Sequence, residues 1–451
     1  MADPWAYADR IEDRVEPPTF PDRTFDVTEH GAVGDGETDC TAAFAEAVAA
    51  CTDAGGGRVL VPAGEYRTGA IHLADDVELH VTADATVGFS HDPSDYLPTV
   101  LTRFEGQELY NYSPFVYARD CENVAITGEG TLDGRADVEA WWPWSGSERY
   151  GWEEGAPQGH DDVHALRDMA SEGVPVAERE FGEGHYLRPS FVQPYACENV
   201  LIEGVTLVNS PMWNVHPVLC ENLTVRDVTV DGDGPNNDGC NPESCRDVLV
   251  EGCTFDAGDD CIAVKSGREA DGRRVDVPSE NVLVQSCEFV NLYGSITLGS
   301  ELSGGVRNVF VRHCEGGSPW LYFGLYIKTN SRRGGFVEQV HVKDVHFTDL
   351  SKEVVSCDFH RGEGDTGAFT PRVEDVTLTD VTVEEVRGVM FARGYDRSPI
   401  RGLRFENCTF ENVEELAVVE NAEVELEDVT VNGQTVESVE DLRERLVEKD
   451  V

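Results

Sequence analysis

A chain of 451 residues, 40% of them hydrophobic, has ample material for a large core, and it has no run of about 18 apolar residues of the kind that crosses a membrane. Its 86 Asp plus Glu against 35 Lys plus Arg give a formal net charge of −51, which argues against nucleic acid and anionic membranes as partners. The 44 Gly and 21 Pro suit a turn-rich, all-β protein.

Residues 1–22 read as an N-terminal extension. They carry neither a basic start nor an apolar core, so no secretory leader is expected and the cytoplasm is the expected location. Phe25-Asp26-Val27 and Gly34-Asp35-Gly36 follow, then a helix predicted near Asp39 to Cys51, with alanines, Phe44 and Val48 on one face. That helix is expected to cap the open end of a stack. Residues 135–190 interrupt the pattern with Trp141, Trp142, Trp144, Tyr150 and Trp152, and a break of that length usually marks a functional loop. Its aromatic rings either stack on sugars or pack on one another.

From Asn199 onward a repeat takes over. Val200, Ile202, Val205 and Leu207 follow Asn199, and Leu223, Val225, Val228 and Val230 follow Asn222 at the same offsets. Further copies start at Asp247, Asn281, Asn308, Gln339, Asp375 and Gly402, at intervals of 23, 25, 34, 27, 31, 36 and 27 residues. Each copy holds two short alternating runs, a strand pattern. Such a unit cannot bury its apolar face alone, and stacked coils solve this. The expected fold is therefore all-β, a right-handed parallel β-helix over 23–436, closed by a short charged helix over 437–451.

The 13 Cys fall at equivalent places in the repeat. Cys121, Cys197, Cys220 and Cys245 precede an Asn or Asp by two residues, and Cys253, Cys287, Cys314 and Cys408 follow a start by six. Stacking places them in interior ladders rather than in disulfides. No Cys-x-x-Cys pair supports zinc, and no metal or cofactor is expected. Acidic residues scattered through an intact core pattern, with only five Lys in the chain, point to adaptation to high salt.

Two acidic clusters end successive copies: Asn236-Asn237-Asp238-Gly239 and Gly258-Asp259-Asp260-Cys261. Adjacent residues on a straight strand face opposite ways, so Asp259 and Asp260 must lie at a bend. These motifs, with Ser210 to Pro217 and Gly299-Ser300-Glu301, resemble the polygalacturonase family of pectin-degrading hydrolases, glycoside hydrolase family 28. The similarity runs over roughly residues 23 to 415.

The resemblance implies inverting hydrolysis of α-linked, galacturonate-containing pectic substrates. One carboxylic acid protonates the departing oxygen, and a carboxylate activates water on the other ring face. It assigns Asp259 as the acid, with Asp238 and Asp260 holding and deprotonating the water. Asn236, Lys328, Tyr293, Tyr326, His216 and Trp213 are the candidate substrate contacts. For Asn236 a turn role, satisfying backbone groups between stacked coils, weighs more heavily, and His216 and Trp213 suit packing equally well. Two departures from the family pattern stand out. Tyr293 occupies the place of a His, and Tyr326-Ile327-Lys328 replaces Arg-Ile-Lys. Lys328, one of five lysines, is a candidate ligand for a uronate carboxylate. The competing readings are a rhamnogalacturonan-type hydrolase, a β-helix lyase and a non-catalytic carbohydrate-binding solenoid.

Overall fold

The coils turn where the sequence places its Asn and Asp. In the computed structural model, which describes residues 3–415 and 417–442, Asn123, Asn199, Asn222, Asp247, Asn281, Asn308, Gln339 and Asp375 all have φ between 56° and 60°, and Gly402 has 63°. Asn and Asp tolerate this left-handed conformation because a short polar side chain bonds locally. A second left-handed residue follows five positions later in each copy, at Gly128, Gly204, Asp227, Gly252, Ser286, His313, Asp344, Asp380 and Asn407. Two such kinks bend each copy into a coil.

The described residues belong to two compact units, Arg14–Leu249 with Asp256–Gly258, and Met1–Asp13 with Val250–Phe255 and Asp259–Val451. Both are built on the parallel β-helix plan. In the first, Gly57–Val61, Val77–Val81, Glu122–Gly128, Glu198–Glu203 and Glu221–Arg226 pair in parallel with like residues in register, such as Val124, Val200 and Leu223. Asn199 Nδ2 donates to Asn123 Oδ1 at 3.0 Å and Asn222 Nδ2 to Asn199 Oδ1 at 2.7 Å, so the turn amides satisfy one another from coil to coil. Each bond is worth about 1 kcal/mol net. In the second unit, Ser279–Gln285, Val306–Ser318, Phe336–Asp358 and Arg372–Arg393 pair in the same way.

Thirteen buried, unbridged cysteines line the interior. Cys121, Cys197, Cys220 and Cys245 touch thiol to thiol in one unit, and Cys253, Cys287 and Cys314 in the other, as their spacing predicts.

The predicted capping helix lies two residues later than expected, as α2 (Thr41–Asp53), because Asp39 accepts from the Thr41 amide and starts it there. It buries Ala43, Phe44, Ala47, Val48 and Cys51 against the first coils. The N-terminal extension carries a helix that the sequence reading did not place, α1 (Trp5–Arg14). Trp5 and Tyr7 pack on Phe310, Tyr7 Oη donates to Asn281 Oδ1 at 2.9 Å, and Arg312 binds Asp9 and Glu12. The 135–190 insertion contains α3 (His160–Glu172). Trp141 is buried against Tyr96, Phe115 and Trp144, so its ring serves packing. Of the helix expected over 437–451, residues 439–442 are helical, 437 and 438 precede it outside the helix, and 443–451 lie outside the described residues.

Candidate active site

Asp259 and Asp260 lie in the bend that leads into Ile262–Val264. That strand pairs with Tyr293–Gly299, which pairs with Leu321–Lys328, in the register Ile262, Ile296, Leu325 and Val264, Leu298, Ile327. These apolar rows face inward and are buried. Strand alternation sends Ala263, Thr297, Tyr326 and Lys328 to the other face, alongside the carboxylate bend.

Asp260 is 2% exposed and accepts three hydrogen bonds. Its Oδ1 accepts from Gly294 N at 3.1 Å and Thr297 Oγ1 at 2.8 Å, and its Oδ2 from Lys328 Nζ. A Cβ at Gly294 would stand 2.2 Å from Thr297 Oγ1 and 3.1 Å from Asp260 Oδ1, so only glycine allows this cradle. Asp259 is half-buried and its Oδ1 accepts the Asp260 amide at 2.9 Å. Burial, reinforced by the neighbouring Asp260 charge, pushes its carboxyl up to about 6, while Lys328 and Lys265 pull the other way. A carboxyl raised in this way can keep a proton to donate at mildly acidic pH, as acid catalysis requires.

Lys328, expected to stand ready for a uronate, is committed to Asp260. Burial opposes its charge most strongly, yet Asp260 and Asp259 together outweigh burial and hold its proton more tightly than usual. Lys265 Nζ bonds Glu301 Oε2 at 3.2 Å and Arg268 Nη1 bonds Glu301 Oε1 at 3.4 Å. Although burial alone would raise it, Glu301 is held well below the usual carboxylate range by Lys265, Arg268 and Arg333. Sequence reading gave these cations no role. Tyr326 is buried under Phe323, with Lys328 Nζ 4.7 Å from its ring centre, whereas Tyr293 is 41% exposed.

In the other unit, Asp238 is buried and its Oδ2 accepts Asn241 Nδ2 at 2.9 Å. Its carbonyl takes Asn214 N at 2.9 Å and Asn214 Nδ2 at 3.0 Å. Asn237 closes the preceding turn, donating to Ser210 and Met212 carbonyls and accepting from Gly234 N. Asn236 has φ 56° and its Oδ1 takes Arg188 Nη2 at 2.7 Å. Arg188, absent from the sequence reading, also donates to the Pro211 and Pro235 carbonyls and braces the turn.

Two expected substrate contacts need correction. His216 is 0% exposed, with Nε2 2.9 Å from Glu243 and Nδ1 2.8 Å from Gln193. Trp213 is buried with Phe104, Leu109, Leu166, Phe181, Leu187 and Met212. Side chains so enclosed are packing elements of their unit and present no surface to a sugar. Among the described residues no three His, Cys, Asp or Glu side chains are grouped so as to hold a metal ion.

The chain is 45% identical to a hyperthermoactive exopolygalacturonase from Thermotoga maritima, with a TM-score of 0.93 over 95% of this chain and 96% of that one. A family 28 exopolygalacturonase from Yersinia enterocolitica shares the fold at 22% identity, with a TM-score of 0.75 over 93% of this chain and 76% of its own. A probable polygalacturonase from Vitis vinifera is 28% identical over 399 residues, 85% of this chain and 73% of that protein. Residues 182–414 match the model of glycosyl hydrolases family 28. The chain is a glycoside hydrolase that belongs to glycosyl hydrolases family 28.

Proposed function

We propose that this enzyme hydrolyses α-linked galacturonate in pectic poly- and oligosaccharides with inversion, Asp259 giving its proton to the departing oxygen. The observation that carries this reading is the Asp259 carboxyl, pushed up to about 6 beside the buried, triply bonded Asp260. Asp260, in contact with the Lys328 ammonium, is the proposed base that takes a proton from water. Lys328 serves as a positioning residue, fixing Asp260 and balancing its charge. The likeness at 45% identity to an exopolygalacturonase supports release of sugar from a chain end.

Thirteen unbridged thiols support a reducing compartment, and the net charge of −51 supports a high-salt medium. Incubation with trigalacturonate in molar KCl, followed by proton NMR of the first product, tests the chemistry. A reducing-end product of inverted configuration is expected. A retained anomer or an unsaturated sugar would overturn the mechanism, and cleavage confined to rhamnogalacturonan would overturn the substrate.

A further inference from the structure

Three cations from two successive coils of the second unit rest on the aromatic rings of one of them. Lys328 Nζ is 4.7 Å and Arg361 Cζ 5.5 Å from the centre of the Tyr326 ring. Lys352 Nζ is 4.2 Å from the centre of Tyr322 and 5.2 Å from that of Phe323. The rings themselves are joined, Tyr293 to Tyr322 at 5.1 Å and Phe323 to Tyr326 at 4.1 Å. Tyr293 and Arg361 are exposed, and Tyr322 and Lys352 half-buried. At ~4.8 Å per coil, the strip runs about 14 Å from the Asp259-Asp260 bend, across three coil steps.

Neither Lys352 nor Arg361 is paired with a carboxylate among the described residues, unlike other cations of their unit. Nearby cations are paired, Arg387 with Glu415, Arg393 with Asp358 and Arg397 with Asp365. Among the described residues, neither Lys352 nor Arg361 has a carboxylate within 4.0 Å. In a chain where Asp plus Glu outnumber Lys plus Arg by 86 to 35, leaving two cations over one cluster of rings without a carboxylate keeps an anion site open. Tyr293 and Tyr322 offer accessible ring faces to sugars, and cation–ring contact holds each charge in place.

We propose that Tyr293, Tyr322, Lys352 and Arg361 form a recognition strip for the uronate chain, with sugar faces on the two accessible tyrosine rings and carboxylates on Lys352 and Arg361, which the buried Phe323 and Tyr326 help to seat. This rests on the proposed substrate and adds the residues that select its charge. Guanidinium and ammonium groups bond carboxylates strongly, and a neutral sugar would leave both unanswered.

Calorimetric titration of an Asp259→Asn background with tetragalacturonate, and with the same tetramer reduced to neutral galactose units, tests the strip. The Lys352→Gln/Arg361→Gln pair is expected to weaken tetragalacturonate about tenfold and to erase most of the preference over the neutral tetramer. Arg361→Lys is expected to recover part of the loss. A Kd for tetragalacturonate within twofold of the parent, or equal weakening of both tetramers, would overturn the strip. The wild-type chain is offered tetragalacturonate in parallel. If it cuts the tetramer while Kd ignores the substitutions, the strip fails and the function stands. If it leaves the tetramer whole, the proposed function itself fails.

Discussion

The asparagine ladder and the Asp259-Asp260 bend are both polar interruptions of an apolar coil, and they differ in what the next coil offers them. Asn123, Asn199 and Asn222 each meet another copy of the same residue, in the same left-handed turn. Asp260 meets Gly294, Thr297 and Lys328, none of which repeats it. A repeated polar residue is satisfied by its own copies and holds the fold. One that breaks the repeat must recruit distant partners, and the chain spends stability there on chemistry.

Removing the acid should have the largest effect. Asp259→Asn is expected to lower turnover by roughly 10²- to 10⁴-fold with an unchanged circular-dichroism spectrum. Near-normal turnover would erase the contrast between ladder and bend. The same substitution should reveal the cost of the raised carboxyl. Its folded pKa of about 6 lies above the ordinary 3.8, so wild-type stability is fully present below about pH 4 and declines as pH rises through about 6. The melting temperature of Asp259→Asn should therefore gain on that of wild type across this window, and parallel curves would refute the shift. Activity should share the limb, falling above about pH 6 as the acid loses its proton.

Lys328→Met leaves Asp260 buried without its ammonium, a loss of about 3–5 kcal/mol in denaturant unfolding. Adding Asp260→Asn should return much of it, and failure to do so would deny the pairing. Asn222→Gly keeps the left-handed turn while deleting its bonds to Asn199 and Glu16, and should cost only about 1–3 kcal/mol. A cost as large as that of Lys328→Met would mean that copies matter no less than exceptions. Smallest for any one residue is the effect of salt. Screening shortens from roughly 10 Å at about 0.1 M to 3 Å at about 1 M. Melting temperature should climb with KCl and not with a neutral osmolyte, and a flat series would leave the charge unexplained.

The repeat starts and the cysteine ladders were legible in the sequence because spacing alone determines which residues stack. The left-handed turn five residues on was not, because Gly, Asp, Asn, Ser and His share it and no single chemistry marks it. Helix α1 left a usable trace in Trp5, Ala8 and Ile11, three residues apart on one face, although nothing in that spacing names Phe310 as its seat. The two acidic clusters were legible as motifs. The partner of Lys328 was hidden because Asp260 lies 68 residues upstream, and strand periodicity gives a side chain's face without its neighbour. His216 and Trp213 stood beside a cluster in sequence, yet enclosure depends on chain arriving from Phe104, Leu166 and Gln193.

The interior cysteines have a consequence for anyone who would watch this molecule come apart. Every thiol is shut away from reagent, and together they sample coils from Cys121 to Cys408. A maleimide can modify each one only after its own coil has opened, so mass spectrometry of the tagged peptides would time the opening along the chain and record whether the molecule unravels from one end or gives way in the middle.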